Sequence, residues 1–382
     1  MKKEFLRSIN IQLDVGHPER LGHFRPTSKS VRLISSLLEG EAGNALFVVA
    51  PYGSGKSVTA GYAGELIENR PDSAEMLSAV EERIKVVEPS LEASARKRRT
   101  DQRRGLFVPL YGHLRSTPGA LKEGVLAAMR RCRLGRRART VEGISAQTSH
   151  DVSRLLSTTS EKLEAADFDR LVIVWDEFGR HLQGLISEGR PEDLDVLQIL
   201  AEVVARTTTV PVSLVLLLHR SLLGYAGSLP SGVKREWTKI EGRFETLQYL
   251  DDSTELYEII GSLVEESRTI EPEDLDFPAL ATECKQAGLF PEMEEEGLPG
   301  VLSSAFPLEP ATLFLLPRVA ARVAQNERTL FSFLQWVSLE EPVPPGTIYD
   351  YFRGEFRNDG GPGGTQRAWL ETESALQKVE SG

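Results

Sequence analysis

The segment VVAPYGSGKSVTA, residues 48–60, constrains the fold of this chain more than any other feature. It continues an apolar run, NALFVVA, whose β-branched and aromatic residues are typical of a buried strand. The residues after it, SVTAGYAGELIENR, place apolar positions at helical spacing. A glycine-rich turn between a buried strand and a helix is the setting in which such a loop binds phosphate. We therefore predict a nucleotide-binding α/β domain with a parallel sheet.

The residues of this loop are those that bind a nucleoside triphosphate. Glycines let backbone N–H groups turn toward phosphate oxygens, and the positive end of the following helix adds to the attraction. Lys56 can reach the β- and γ-phosphates, and Ser57 can offer its hydroxyl to Mg²⁺. Alanine stands at position 50, where the strict pattern has glycine, and the alternative is a Gly/Ser turn that happens to contain lysine. The predicted ATP-binding residues are Pro51, Tyr52, Gly53, Ser54, Gly55, Lys56, Ser57 and Val58.

A second apolar run, Leu171–Trp175 in RLVIVWDEFGR, ends at two carboxylates. Because the carboxyl ends of parallel strands share one edge of a sheet, Asp176 and Glu177 should lie beside the loop. Asp176 would hold Mg²⁺ through its water shell. Glu177 would orient and activate the attacking water, which distinguishes a hydrolase from a protein that only binds nucleotide. The alternative is an acidic turn on the surface.

The composition favours a soluble cytoplasmic protein of two or three domains. The chain has 382 residues and a formal net charge of −11, which excludes a wholly basic nucleic-acid binder. Its two cysteines, Cys132 and Cys284, lack metal-ligand spacing and suit a reducing compartment. No apolar run reaches the length of a membrane span, and the N-terminus lacks the apolar core of a signal peptide.

Two basic clusters interrupt this acidic background. The first ends a stretch, residues 68–105, that breaks the apolar rhythm and is predicted to be a helical or partly disordered insertion. Clustered arginines can contact the phosphates of double-stranded DNA, although solvated loops would have the same composition. No aromatic residues interleave with them, so stacking on single strands is unsupported. The clusters are Arg96, Lys97, Arg98, Arg99, Arg103 and Arg104, and Arg130, Arg131, Arg133, Arg136, Arg137 and Arg139.

Two later segments resemble the additional-strand ATPases of the AAA+ type. The apolar run VPVSLVLLLHRS ends at His219, where such proteins place a polar residue against the γ-phosphate or the attacking water. GRFET leads into a further strand, where they present an arginine across a subunit interface. The resemblance implies that His219 and Arg243 are catalytic and that the protein forms a homo-oligomer. The alternatives are a histidine that caps a strand and an arginine paired with a carboxylate.

The motifs together resemble the large AAA-like ATPases of bacterial phage-defence systems, of the BREX and phage-growth-limitation type. This resemblance implies an ATPase that acts with other defence proteins and, because members are far longer, a chain that is an N-terminal fragment. It also implies that Arg328 in NERT contacts nucleotide, or pairs with a carboxylate within the lid. The resemblance rests on HPERLGHFRPT, APYGSGKSVTA, VWDEFGR, GRFET and FPLEPATLFLLPRVAARVAQNERTLFSFL.

The order of the elements predicts four parts. Residues 1–43 form an N-terminal segment that ends in a helix, Ser28–Leu38, and such a segment commonly packs beside the adenine in this architecture. Residues 44–269 form the P-loop core with its basic insertion. Residues 270–352, where strand patterns disappear, form a helical lid. Residues 353–382 form a glycine-rich linker and the start of a further helix.

Three functions stay open at this point. The first is ATP hydrolysis that remodels or licenses a DNA-associated defence complex. The second is a nucleotide-gated oligomerisation switch with slow turnover, and the third is a DNA-binding scaffold in which the nucleotide is structural. The pair Asp176 and Glu177 favours the first over the third, because a scaffold needs no base to activate water.

Overall fold

A computed structural model describes residues 9–38, 45–50, 54–206, 209–227, 229–249, 253–272, 275–323, 327–359 and 365–380. Residues 9–38, 45–50 and 55–206 belong to one compact unit together with the described residues up to 249. The described residues from 253 onward belong to a second compact unit. Among the described residues, no helix has both the length and the apolar character needed to cross a membrane.

The first unit is built on a parallel sheet of five strands in the order β2-β3-β4-β1-β5. One additional strand, β4, therefore lies between the strand before the loop and the strand that ends at the two carboxylates. This arrangement confirms the predicted AAA-like P-loop fold with a parallel sheet flanked by helices. The strands are Ala45–Val49 (β1), Arg104–Tyr111 (β2), Phe168–Asp176 (β3), Val212–Leu218 (β4) and Glu245–Gln248 (β5).

Helices cover both faces of this sheet. Because successive strand side chains point to opposite faces, Phe47 packs in one apolar core while Leu46 and Val48 pack in the other. Burial on both faces explains why these strands read as unbroken apolar runs. One face is covered by Ile11–Asp14 (α1), Ser28–Leu38 (α2), Lys56–Glu68 (α3), Ala74–Val87 (α4) and Pro89–Thr100 (α5). The other is covered by Thr117–Arg131 (α6), Gly135–Glu142 (α7), Ser149–Glu164 (α8), Phe178–Ser187 (α9), Asp195–Arg206 (α10), Leu222–Tyr225 (α11) and Ser231–Glu241 (α12).

The basic insertion, residues 68–105, is an integral part of this core. Its helices α4 and α5 bury Leu77, Val80, Ile84 and Leu91 completely. Each such side chain contributes about 1.5–3 kcal/mol when it leaves water. The helical part of the prediction for this segment is confirmed, and α4 and α5 are packed rather than partly disordered.

Arginines of the two basic clusters make ion pairs within the unit. Arg98 is buried, and its guanidinium binds Asp169 at 2.6 Å. Arg131 binds the buried Glu68 at 2.6 Å. Burial raises the pKa of Glu68, and the hydrogen bond from Arg131 opposes that rise. These two arginines therefore hold buried or half-buried carboxylates. Further ion pairs join Arg96 to Glu92, Arg99 to Glu81, Arg103 to Asp169 and Arg130 to Glu142.

The second unit is helical over its described residues and has an apolar core of its own. Large aromatic side chains fill that core, among them Tyr257, Phe333 and Phe352. The predicted lid is therefore helical, and the described residues after 269 form no strand longer than a single bridge between Leu308 and Val343. The helices are Ser253–Ser267 (α13), Phe277–Gln286 (α14), Leu298–Ala305 (α15), Pro310–Val323 (α16), Glu327–Trp336 (α17), Gly346–Asn358 (α18) and Gln366–Glu380 (α19).

Two helices of this unit bear on the predicted boundaries. Helix α13 buries Tyr257, Ile260 and Val264 in the core of the second unit, whereas the boundary predicted at 269 assigns this helix to the P-loop core. Helix α19 contacts α18 through Arg353 and Glu373 and leaves Leu370 and Leu376 exposed.

Candidate active site

The sheet brings the predicted site residues to one edge. Val49 at the end of β1 is in register with Leu218 of β4 and Gln248 of β5. On the other side of β4, Asp176 is the last residue of β3 and is in register with Tyr111 of β2. The described residues after β1, β3 and β4 therefore emerge at the carboxyl edge, where parallel sheets bind ligands.

The second half of the predicted loop begins α3. Gly55 takes a left-handed conformation, with φ 82° and ψ 4°, that favours glycine. Lys56 is the first residue of α3, is 5 % exposed, and donates a hydrogen bond from Nζ to the Ala50 carbonyl at 2.8 Å. Its ammonium is thus folded back over the start of the loop. Ser54, Ser57 and Val58 lie in the described part of this loop, whereas Pro51, Tyr52 and Gly53 fall outside the described residues.

Asp176 and Ser57 form the next part of the site. Asp176 is 3 % exposed and accepts hydrogen bonds from the Ser57 side chain and from the Glu177 backbone, the latter at 2.8 Å. Burial raises the pKa of Asp176, and the hydrogen bond from Ser57 opposes that rise. A hydroxyl and a carboxylate in direct contact supply the oxygen ligands that Mg²⁺ prefers.

Glu177 follows directly and begins α9. It takes a left-handed backbone conformation with φ 53° and ψ 34°. Its Oε2 atom lies 3.4 Å from Nε2 of His219 and 3.1 Å from Nε of Arg180. The hydrogen bond from His219 and the charge of Arg180 lower the pKa of this carboxyl. Glu177 is therefore ionised at neutral pH and can accept a proton.

The structure thus places Lys56, Ser57, Asp176, Glu177 and His219 at the same edge of the sheet. His219, which follows β4, contacts Glu177 directly. His219 therefore contacts the predicted base, in addition to lying at the end of β4.

Arg243 does not lie at this edge of the sheet. It precedes β5, and the length of that strand, at about 3.3 Å per residue, separates it by about 13 Å from the carboxyl edge. Its guanidinium is half exposed and pairs with Glu202 of α10 at 3.3 Å. Arg243 therefore lies at the opposite end of β5 from this edge, and within its own chain it makes the carboxylate pair that was the alternative to a catalytic role. The side chain of Arg328 falls outside the described residues.

The described residues of the N-terminal segment pack on α3. Phe24 stacks on Tyr62 of α3 with ring centroids 4.9 Å apart. The Gly16 backbone donates a hydrogen bond to Glu65 at 2.6 Å. Helix α2 spans Ser28–Leu38, the bounds predicted for it. The segment therefore lies against the helix that carries Lys56.

Sequence reasoning missed several residues of this edge. Arg180 stands in the quoted segment RLVIVWDEFGR, and its spacing of three residues from Glu177 on a helix is the signal that could have revealed it. Tyr249, which follows β5, shares a buried hydrogen bond of 2.7 Å with Thr59 of α3. This bond ties α3 to the end of β5, and no local pattern predicts it.

No protein-family model matches the chain. No curated protein matches it either. Among solved structures it is similar to the Aeropyrum pernix ORC2 protein in ADPNP–ADP complexes, with 15% sequence identity and a TM-score of 0.33. That similarity covers 91% of this chain and 70% of the ORC2 chain.

Proposed function

We propose that the chain binds ATP with Mg²⁺ and hydrolyses the ATP at the carboxyl edge of its sheet. One observation carries this proposal: three groups lie together at this edge. They are Lys56, which follows a glycine in the left-handed conformation, Ser57, which is hydrogen-bonded to Asp176, and Glu177, which accepts a hydrogen bond from His219. A protein that only binds nucleotide needs the first group. The third supplies a base, and a hydrolase needs that base to activate water.

Binding of the phosphates would rest on Lys56 and on the start of α3. Lys56 is buried, with only 5 % of the residue exposed. A phosphate oxygen is a stronger partner for a buried ammonium than the neutral Ala50 carbonyl that it now contacts. The backbone N–H groups at the start of α3 add the positive end of the helix dipole.

The donor set beside Lys56 fits Mg²⁺. Magnesium is held by one or two carboxylates, with substrate phosphates and waters as its other ligands. Asp176 and Ser57, already in contact, would provide the protein's share. The ion, when bound, would neutralise charge on the phosphate oxygens. The chain's own contribution is to keep a buried carboxylate next to the loop.

Glu177 is the proposed general base, with His219 beside it. Its carboxyl is ionised at neutral pH and half-buried, so it can accept a proton from water next to the phosphates. His219 donates to one oxygen of the carboxylate and limits its rotation.

A switch with slow turnover is the second candidate function. The observation that favours it is the lowered pKa of Glu177, because a more acidic carboxyl is a weaker base. The two candidates differ in turnover: steady-state release of phosphate supports the hydrolase. An increase in mass with a slowly hydrolysed ATP analogue, without turnover, supports the switch.

Hydrolysis is proposed to need Arg243 from a neighbouring copy of the chain. Support comes from its place and its chemistry: the side chain is exposed, it lies away from the site of its own chain, and a planar guanidinium can bridge two phosphate oxygens. Arg243→Ala should bind ATP normally and hydrolyse it at least about tenfold more slowly, since the guanidinium acts on charge that develops during transfer. Mixing Arg243→Ala with Glu177→Gln should restore part of the activity.

The matched control is Arg235→Ala, which removes an exposed arginine of α12. This variant should hydrolyse ATP at the wild-type rate. If the mixed oligomers form, as judged by native mass measurement, and yet stay inactive, Arg243 has no role across an interface.

DNA binding is proposed for the exposed arginines on and before α7. Arg133, Arg136 and Arg139 are exposed, unlike the buried Arg98. The double variant Arg136→Ala/Arg139→Ala should lower the slope of log affinity against log salt for double-stranded DNA by about two, because each lost phosphate contact removes about 0.9. The control is Arg154→Ala/Arg367→Ala. Absence of any DNA binding at low salt would contradict the proposal.

We also propose, from the resemblance of the motifs, that this ATPase works with other proteins of a bacterial antiphage complex. Its cycle would remodel or license an assembly on DNA in that setting. The support is the set of segments around the loop, the acidic strand and the lid.

A further inference from the structure

We propose that Arg180 is a positioning residue, which holds one oxygen of the Glu177 carboxylate so that the other is directed to the attacking water. The inference rests on the proposed function, because it concerns the same base. Arg180 is not among the residues to which the sequence motifs assign a role.

The geometry of the carboxylate carries the proposal. Arg180 Nε lies 3.1 Å from Oε2 of Glu177, and His219 Nε2 lies 3.4 Å from that same oxygen. Within the part of the chain that the structure describes, Oε1 of Glu177 has neither a hydrogen bond nor an ion pair. The ion pair with Arg180 and the hydrogen bond from His219 thus engage one oxygen, and the other carboxylate oxygen keeps its lone pairs for water.

The backbone brings Arg180 to this position. Arg180 is in the first turn of α9, and its N–H donates to the Glu177 carbonyl at 2.9 Å. Residues three apart share a helix face, so the guanidinium reaches back to the residue that begins the helix. Glu177 itself has a positive φ, which costs a residue other than glycine about 1–3 kcal/mol and is commonly found at functional sites.

The start of α9 packs closely against the residues that follow β4. A Cβ atom at Gly179 would overlap the hydroxyl of Tyr225, so only glycine allows this approach. Tyr225 is in turn hydrogen-bonded to the backbone of His219 and carries the Arg220 guanidinium 4.3 Å from its ring centroid. The start of α9 is therefore seated on the residues that follow β4, and Arg180 and His219 approach Glu177 from two separate elements.

The ion pair itself contributes little to folding. The Arg180 side chain is 54% exposed, and exposed pairs are worth about 0–1 kcal/mol. Substitution should leave the fold intact. Its effect should appear in the chemical step, since misplacing a catalytic group by about 1 Å lowers rates by up to about a hundredfold.

The test compares three variants of the full chain: Arg180→Gln, Arg180→Lys and, as a control, Arg190→Gln. Arg190 is similarly exposed and pairs with Glu188 after the end of α9. Its replacement therefore removes the same positive charge as Arg180→Gln does, but from a side chain that does not contact Glu177. Steady-state hydrolysis and ATP affinity are measured for each. Arg180→Gln should lower kcat about tenfold and change KM and ATP affinity less than about twofold. Lysine should recover part of the rate, and Arg190→Gln should behave as wild type.

Opposite outcomes separate this inference from the proposed function. A wild-type chain that hydrolyses ATP together with an Arg180→Gln variant of equal or higher kcat would overturn the positioning role alone. Equal losses in both Arg180 variants, with weakened ATP affinity, would also overturn it, because they indicate a structural arginine. A wild-type chain that binds ATP but never hydrolyses it would overturn the proposed function and this inference together.

Discussion

Replacement of Lys56 by alanine is expected to abolish ATP binding while the chain stays folded. A hydrogen bond to a charged group is worth about 1.5–3 kcal/mol, so losing two phosphate contacts should weaken binding more than a hundredfold. The fold should survive because Lys56 lies at the edge of the sheet, where its ammonium donates to the Ala50 carbonyl, and is not one of the apolar side chains that form the core. Calorimetric titration with ATP and Mg²⁺ measures the affinity, and circular dichroism checks the fold.

The matched control for this variant is Lys85→Ala, which removes an exposed lysine of α4. It should bind ATP as wild type does, because Lys85 lies away from the loop in sequence and is open to solvent. An unchanged ATP affinity in Lys56→Ala would remove the loop from the proposed site.

Replacement of Glu177 by glutamine is expected to leave ATP affinity within about threefold of wild type and to slow hydrolysis at least about a hundredfold. Glutamine keeps the size of the side chain and can still accept a hydrogen bond from His219. It cannot take a proton from water at neutral pH, and general-base catalysis contributes about 10²–10⁴ to rates. Phosphate release under steady-state conditions measures the loss.

Glu188→Gln controls for the removal of a carboxylate near α9. Glu188 binds His113 at 2.8 Å and lies at the other end of that helix, so its loss should not affect turnover. If Glu177→Gln hydrolyses ATP at the wild-type rate, the base is another group, and His219→Ala is the next variant to measure.

The sheet and its edge could be predicted because their signals are local. Buried parallel strands read as apolar runs, and the loop, the two carboxylates and His219 each follow such a run directly. The rule that parallel strands end at a common edge then brings them together without knowledge of the strand order. Helix α2 agrees with its predicted bounds at both ends for a similar reason. Its apolar spacing and the residues that begin and end it all lie within one short segment of the sequence.

The roles of the arginines could not be predicted in the same way. Arg98 binds Asp169, and Arg131 binds Glu68, across 71 and 63 residues of sequence. Composition shows the charge of these arginines but not the distant carboxylates that they meet in the fold. The packing of α4 and α5 into the core is hidden for a related reason, because their apolar residues are diluted by charged residues on the exposed face.

The contact between Arg180 and Glu177 could be predicted only in part. Its spacing from Glu177 is local and visible in the sequence. What the sequence lacks is the choice of oxygen: only the structure shows that Arg180 and His219 share Oε2 of Glu177.

ATP hydrolysis at this site is tested most directly by identifying the nucleotide that the protein holds after incubation with a limiting amount of ATP and Mg²⁺. The protein is separated from free nucleotide, and the bound fraction is resolved by chromatography. We expect ADP on the wild-type chain, ATP on Glu177→Gln and no nucleotide on Lys56→Ala. Intact ATP on the wild-type chain after prolonged incubation would contradict the claim that this site hydrolyses ATP.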